Sequence, residues 1–205
     1  MEDPFAEHSL KSALSTRMFG RLVENRWRGD VVEEIVARAL VPLGWSHCSG
    51  NWNSWDLEHA DQRLKMQVKQ SARQQTWGVT AQSRYGIAPA KGFYAHNVWK
   101  ELHIAQRLSE VYVFAHHPIE GDSADHWNAQ QWRFTVVREN ELPSTKSISG
   151  IQLTKWLSIG IADLAGQVSS VCCGLVPNGH VETAAATKDI GLTDDTAEQL
   201  SLWDD

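Results

Sequence analysis

The chain has 205 residues, 42% of them hydrophobic and 21% charged, a composition typical of a soluble globular protein with one main domain. No apolar run approaches the roughly eighteen residues of a membrane-spanning helix, and the acidic, polar start lacks the features of a secretory signal. We therefore expect a cytoplasmic protein with no membrane partner. The net charge of −6 does not exclude a nucleic-acid partner, because residues 180–205 carry seven acidic residues and one lysine and account for all of it.

Two helices are predicted in the first part of the chain. The first covers residues 8–27, where apolar residues recur at every fourth position. A break at Arg28 and Gly29 separates it from a second helix, predicted over 30–41, whose apolar positions form a stripe that faces a core. Pro42 gives the second helix its stop signal.

A β-hairpin is predicted after the second helix, because apolar and polar residues alternate on both sides of a short polar turn. If the turn centres on residues 61–62, Leu57 faces Met66 and Asp56 faces Gln67. This register puts the apolar partners on one side and the polar partners on the other, which favours it over a register shifted by one residue.

The rest of the chain gives weaker signals, which divide it into strands, helices and loops. We predict a loop or binding excursion over 72–93, a helix over 96–109, strands over 111–116 and 132–137, a helix over 151–165, and an acidic tail over 178–205.

Polar residues of the second helix and of the hairpin form the one constellation with a clear chemical meaning. Gln67 and Lys69 share a strand face, and Asp56 lies opposite Gln67, with Glu33 on the helix packed behind. A hard divalent cation prefers oxygen ligands, which Asp56, Gln67 and the backbone carbonyl of Val68 offer, while Glu33 can act through a water. Lys69 can stabilise the charge that develops on a phosphoryl group during hydrolysis.

The order and spacing of these residues resemble a known enzyme family. A G-x-x-x-E pattern at 29–33 is followed by Gly44, Asp56 and a Q-x-K pattern at 67–69. This combination resembles the PD-(D/E)XK nuclease superfamily, and its Q-x-K form is most similar to the Mrr-type restriction endonucleases. Trp55 stands where the family has a proline, and Gln67 replaces the acidic residue of the E-x-K form.

The resemblance implies an α/β fold with a restriction-endonuclease-like mixed β-sheet flanked by helices. The nuclease domain would cover residues 29–177, between an N-terminal helix at 1–28 and the acidic tail. It also implies hydrolysis of double-stranded DNA in restriction or genome defence, with Mg²⁺ as the cofactor and Mn²⁺ as its substitute. Loops, a homodimer or a partner subunit would then supply sequence specificity.

A basic segment with interspersed aromatic residues follows the Q-x-K strand. Residues 60–107 hold eight basic residues against two acidic ones, which favours contact with phosphates. The candidate nucleic-acid-binding residues in and beside this segment are Gln70, Ser71, Arg73, Gln74, Trp77, Arg84 and Lys91.

Other interpretations of the charged residues are open. Asp30 and Glu33 fit a capping box, in which Glu33 would only bond the helix start. Glu58 opposite Lys65 is either a cross-strand pair or an auxiliary metal ligand.

The site residues also allow a protein without catalysis. Asp56 is then a strand-end residue and Lys69 a solvated side chain. In that case the chain is an inert nuclease-like module that binds DNA or a protein partner.

Overall fold

The computed structural model describes Ser15 and residues 20–48, 54–95 and 98–177. The predicted acidic tail and most of the predicted N-terminal helix lie outside the described residues. None of the described helices is long and apolar enough to cross a membrane.

The chain forms a mixed α/β structure, as predicted. Its elements in chain order are α1 (Asn25–Leu40), β1 (Trp45–His47), β2 (Leu57–His59), β3 (Lys65–Ala72), β4 (Gln74–Gln75), β5 (Gly78–Val79), β6 (Arg84–Gly86), β7 (Ala90–Ala95), β8 (Val98–Gln106), β9 (Val111–His117), β10 (Arg133–Arg138), β11 (Ser147–Ser149), α2 (Gly150–Leu153) and α3 (Ile161–Cys172).

A five-stranded mixed sheet organises these elements, with the strand order β1-β2-β3-β9-β10. β3 and β9 pair in parallel at its centre, and the outer pairs are antiparallel. β9 is buried along almost its whole length because it has a paired strand on each side and packing on both faces.

Each face of the sheet has its own hydrophobic core. On one face, α1 and α3 pack against residues such as Met66, Val68 and Val113. On the other face, Phe114 and Tyr112 pack under the short β6–β11 pair and α2.

The predicted hairpin register is confirmed. Leu57 pairs with Met66 and Glu58 with Lys65. The turn is longer than two residues, because the backbone N–H of His59 donates to the carbonyl of Leu64 at 2.9 Å. The ring Nδ1 of His59 accepts hydrogen bonds from two backbone N–H groups of this turn, at 3.1 and 3.2 Å.

The predicted break between the first two helices is wrong. α1 begins at Asn25 and runs through Arg28 and Gly29 without interruption, and residues 20–24 before it are not helical. Asp30 and Glu33 therefore lie inside a helix and form no capping box. Tertiary burial of Arg28 extends the helix beyond the apolar stripe that the sequence displays.

The predicted helix over 96–109 is also wrong, because β8 occupies most of that range and pairs with β7. A side chain at Gly92 would place its Cβ 2.6 Å from the carbonyl oxygen of Lys100, and the ring of Trp99 covers the same position. This close approach of two strands allows only glycine there.

Two further segments differ from the prediction. The excursion over 72–93 contains short strands, β4 to β6 and the start of β7. The helix expected over 151–165 is divided into α2 and α3, because the backbone of Ile159 pairs with Phe134 of β10.

A buried arginine fastens the start of α1 to the end of β3. Arg28 is 1% exposed, and its guanidinium donates hydrogen bonds to the side-chain oxygens of Gln70, Gln75 and Asn25 at 2.7 to 2.9 Å. None of the described carboxylates pairs with it, so its charge is stabilised by neutral dipoles alone. Burial accordingly lowers the pKa of Arg28 to about 10.

His126 lies beside this cluster and is fully buried. Its Nδ1 accepts a hydrogen bond from the backbone N–H of Val23 at 2.9 Å, and its Nε2 lies 3.1 Å from the backbone carbonyl of Gln74. This arrangement requires the neutral ring. Burial, reinforced by the charge of Arg28, lowers the pKa of His126 to about 4.

We predict that His126 makes the fold sensitive to acid. Its folded pKa of about 4 lies below the ordinary value of 6.5, so its stabilisation is present above 6.5 and is lost as the pH falls toward 4. Relative to His126→Gln, the parent protein should lose roughly 2 kcal/mol of unfolding free energy across this interval. Urea unfolding at pH 4, 5, 6 and 7 measures the difference.

The control for this measurement is His103→Gln, because His103 is exposed on β8. His103→Gln should change the free energy of unfolding little, because the side chain is exposed. Parallel pH profiles for the parent and His126→Gln would show that the prediction is wrong.

Candidate active site

Asp56 lies beside β3, at the point where β2 begins. Its backbone N–H donates to the carbonyl of Met66 at 2.9 Å, and its own carbonyl accepts from the N–H of Cys48 at 2.8 Å. The side chain then takes the position that a continued β2 would occupy. It is 9% exposed and sits against the edge of β3.

Two groups of β3 donate hydrogen bonds to one oxygen of this carboxylate. The backbone N–H of Val68 lies 2.6 Å from Oδ2 of Asp56, and Nε2 of Gln67 lies 2.5 Å from the same atom. Because both bonds end on Oδ2, neither uses Oδ1.

The geometry of β3 brings two further groups to this position. The N–H and C=O of one strand residue point to the same edge, so the Val68 carbonyl faces the side where Asp56 lies. Gln67 and Lys69 share a face of the strand, two residues apart. Lys69 is close enough to Asp56 for its charge to lower the pKa of that carboxyl.

Glu33 approaches from the middle of α1, one turn after Gly29. Its side chain is 15% exposed, and Oε2 lies 3.4 Å from Nε2 of His47 on β1. Glu34, its neighbour, points outward and pairs with Arg38 at 2.6 Å.

The negative charge of Glu33 destabilises the ionised form of Asp56. Burial, and then the negative charge of Glu33, raise the pKa of Asp56 from 3.8 to about 6. Lys69, the Val68 N–H and the Gln67 amide oppose this shift but do not cancel it. A cation between Asp56 and Glu33 would remove the conflict, because an opposite charge favours the ionised form of both.

The available donors fit a hard divalent cation. They are the two carboxylates, the Val68 carbonyl and the amide oxygen of Gln67, and Mg²⁺ prefers such oxygen ligands together with water. The described part of the chain holds no group of three or more His, Cys, Asp or Glu side chains arranged for a metal. A cation here would therefore depend on the neutral oxygens of Val68 and Gln67.

The orientation of the Gln67 amide is not the one that metal binding needs. Its nitrogen, rather than its oxygen, faces Asp56. A half-turn of the amide about its last torsion would direct Oε1 toward a cation shared with Asp56.

Sequence reasoning missed two neighbours of the site. His47 is one, and no spacing pattern connects it with Glu33. The other is the pair formed by Lys65 and Trp55, in which the ammonium lies 4.2 Å from the ring centroid. Glu58, which lies beside this pair, forms an ion pair with Arg63, with Oε1 of Glu58 3.2 Å from Nε of Arg63.

Three half-buried candidates for nucleic-acid binding have side chains that are bonded to other parts of the protein. Gln70 accepts a bond from Arg28, Arg73 pairs with Glu120, and Gln74 accepts a bond from the backbone of Gly121.

The other candidates are more accessible. Trp77 is 74% exposed in the β4–β5 turn, Lys91 is exposed on β7, and Arg84 is exposed while donating to Ser147 at 3.0 Å. Ser71 is half-buried at the end of β3, in register with His116.

Comparison with protein-family models, with curated proteins and with solved structures finds no match to this chain.

We predict that Asp56→Asn stabilises the metal-free protein. Asparagine keeps an oxygen for the two bonds at Oδ2 and removes the buried charge that Glu33 repels. Since the folded pKa of about 6 lies above the ordinary value of 3.8, ionised Asp56 destabilises the fold above pH 6 and has no such effect below about 4. The gain in unfolding free energy at pH 7.5 should be roughly 2 kcal/mol.

Urea unfolding in EDTA at pH 4 and 7.5 tests this expectation. Asp61→Asn, in the exposed β2–β3 turn, is the matched control and should change the stability little at either pH. A loss of stability in Asp56→Asn at pH 7.5 would contradict the prediction.

Proposed function

We propose that the protein is a metal-dependent endonuclease that hydrolyses DNA phosphodiester bonds, with a restriction-endonuclease-like fold and a Q-x-K site. The observation that supports this proposal is the environment of Asp56, which accepts a hydrogen bond from Gln67 and lies within the electrostatic reach of Glu33 and Lys69. These residues come from α1, from the residue before β2 and from β3, and the charge of Glu33 raises the pKa of Asp56, a cost that a cation would offset.

Each residue has a distinct part in the proposed reaction. Asp56, the Val68 carbonyl and the Gln67 side-chain oxygen would hold Mg²⁺, or Mn²⁺ in its place. The cation supplies Lewis-acid polarisation of the phosphate and makes water a better nucleophile. Lys69 neutralises charge that develops on the phosphoryl oxygens, and Glu33 accepts a hydrogen bond from a water beside the cation.

The substrate would approach the exposed ends of the sheet and its short hairpins. Trp77, Arg84 and Lys91 are the candidates with exposed side chains, and they supply stacking and phosphate neutralisation. The same proposal includes a role in restriction or genome defence and action on double-stranded DNA. It also includes a homodimer or a partner subunit that adds sequence specificity.

A second candidate is an inert nuclease-like module that binds DNA or a partner protein. The Gln67 nitrogen that faces Asp56 favours it, because this hydrogen bond stabilises the carboxylate without a metal.

Cleavage of a plasmid with Mg²⁺, Mn²⁺ or EDTA decides between these candidates. We expect nicking or linearisation that requires the metal. Asp56→Asn and Lys69→Ala should each lower the rate on the order of a hundredfold or more, since stabilisation of transition-state charge of this kind contributes several kcal/mol. Gln67→Glu should keep activity and bind the metal more tightly, because it adds an anionic ligand.

Two matched pairs control this experiment. Glu33→Gln should lower the rate, and Glu34→Gln should not, because Glu34 points away from the site toward Arg38. Likewise Lys69→Ala should lower the rate. Lys146→Ala should leave it unchanged, because Lys146 is at an exposed loop position. A folded sample that binds DNA but cleaves no supercoiled, linear, methylated or single-stranded form with either metal would favour the inert module.

We predict that Trp77 contributes to DNA binding without supporting the fold. Trp77→Ala should weaken binding to a duplex by roughly 1–3 kcal/mol, the range of aromatic–base stacking, and change the unfolding free energy by no more than about 0.5 kcal/mol. Fluorescence anisotropy with a labelled duplex in EDTA measures the affinity.

The matched control is Trp127→Ala, since Trp127 is 46% exposed beside α1. Equal losses of DNA affinity in the two variants would show that the β4–β5 turn has no special part in binding.

A further inference from the structure

Two cavities flank a hydrogen-bonded serine–histidine pair on the sheet face that carries Gln67 and Lys69. Oγ of Ser83 lies 3.1 Å from Nδ1 of His116. Both residues line a cavity of about 290 Å³ on one side and a cavity of about 190 Å³ on the other.

The larger cavity combines aromatic and polar surfaces. Tyr85 and Phe114 line it with ring centroids 5.3 Å apart, and hydroxyl groups come from Ser83, Thr135 and Ser158. Its volume is at the low end of ligand pockets, which favours a small ring system over a peptide. Tyr85 and Phe114 are only 2% and 1% exposed, so they close the apolar end of the cavity, and a planar ring with polar edges would bond to the hydroxyl groups at its rim.

The smaller cavity offers a different chemistry. Arg73 lines it together with Ser149, and the Arg73 guanidinium is held there by Glu120 and the Ala81 carbonyl. Glu120 offsets part of the Arg73 charge, and the remaining guanidinium N–H groups with the Ser83 and Ser149 hydroxyls match a phosphate linked to a ring.

The sheet register puts this pair of cavities next to the candidate active site. Lys69 pairs with Phe114 and Ser71 with His116 across the parallel β3–β9 ladder. Paired residues on adjacent strands point to the same face about 4.8 Å apart, so the cavity floor begins one strand away from Lys69.

We propose that these cavities bind one nucleotide, with its base in the larger cavity and its phosphate at Arg73. The choice of a nucleic-acid ligand rests on the proposed function, but the pocket is separate from the metal ligands. The nucleotide is either a base rotated out of a duplex near the phosphate to be cut, or a free mononucleotide. The extruded base would be read by hydrogen bonds to the Ser83–His116 pair, as enzymes that unstack a base read its polar edge.

Binding measurements in EDTA test the pocket without cleavage. The probes are the four deoxynucleoside 5′-monophosphates and two labelled 20-base-pair duplexes, one fully matched and one with a central mismatch. An unpaired base costs less to extrude, so the mismatched duplex should bind roughly tenfold more tightly if the base comes from DNA. If a monophosphate binds but the two duplexes bind equally well, the pocket is one for free nucleotides.

Two variants connect the result with the cavities. Ile151 is 73% exposed and lines both cavities, so Ile151→Trp should fill their mouth and abolish the preference or the monophosphate binding. Ser83→Ala should weaken the same signal several-fold while the backbone bond between Ser83 and Gly150 remains. Val41→Trp, at another exposed position, is the control and should bind like the parent.

Two outcomes overturn the proposal. One is equal affinity for both duplexes together with no binding of any monophosphate. The other is a signal that survives in both Ile151→Trp and Ser83→Ala. Failure of the proposed nuclease function would be seen separately, as the absence of cleavage with Mg²⁺ or Mn²⁺.

Discussion

The edge of β3 beside Asp56 determines how this protein arranges its chemistry. The N–H of Val68 donates to a carboxylate instead of to the carbonyl of a neighbouring strand. β2 begins only after the residue that accepts this bond, so β3 has no strand partner there on that side, while it remains paired with β9 on the other. This gap in the sheet admits polar groups from both strands, while the apolar core beneath β3 stays closed.

In this arrangement the buried carboxylate of Asp56 lies near the negative charge of Glu33. A buried acid beside a second acid is an unfavourable feature of a fold, and perturbed carboxyls of this kind concentrate at functional sites. The surrounding residues reduce the conflict without removing it. The positive charge of Lys69 favours the ionised form of Asp56. The side-chain amide of Gln67 donates a hydrogen bond to it and could also turn its oxygen toward a cation.

Local alternation predicted the hairpin well, because one register satisfies every apolar and polar pair from Leu57 to Met66. The meeting of Asp56 with Gln67 follows from that register. The β7–β8 ribbon could not be found in this way, since packing between Trp99 and Gly92 overrides the helix-forming composition of residues 96–109. The amide orientation at Gln67 depends on atoms that no sequence pattern specifies.

The buried arginine was likewise beyond local reasoning, because its partners Gln70 and Gln75 are 42 and 47 residues away along the chain. Its position has a mechanical consequence. Arg28 anchors α1 at one end, and Glu33 lies five residues further along, about 7.5 Å up the same helix. Any tilt of α1 about that anchor moves Glu33 as the end of a lever. The spacing between the two carboxylates is therefore controlled from a polar cluster that touches neither of them.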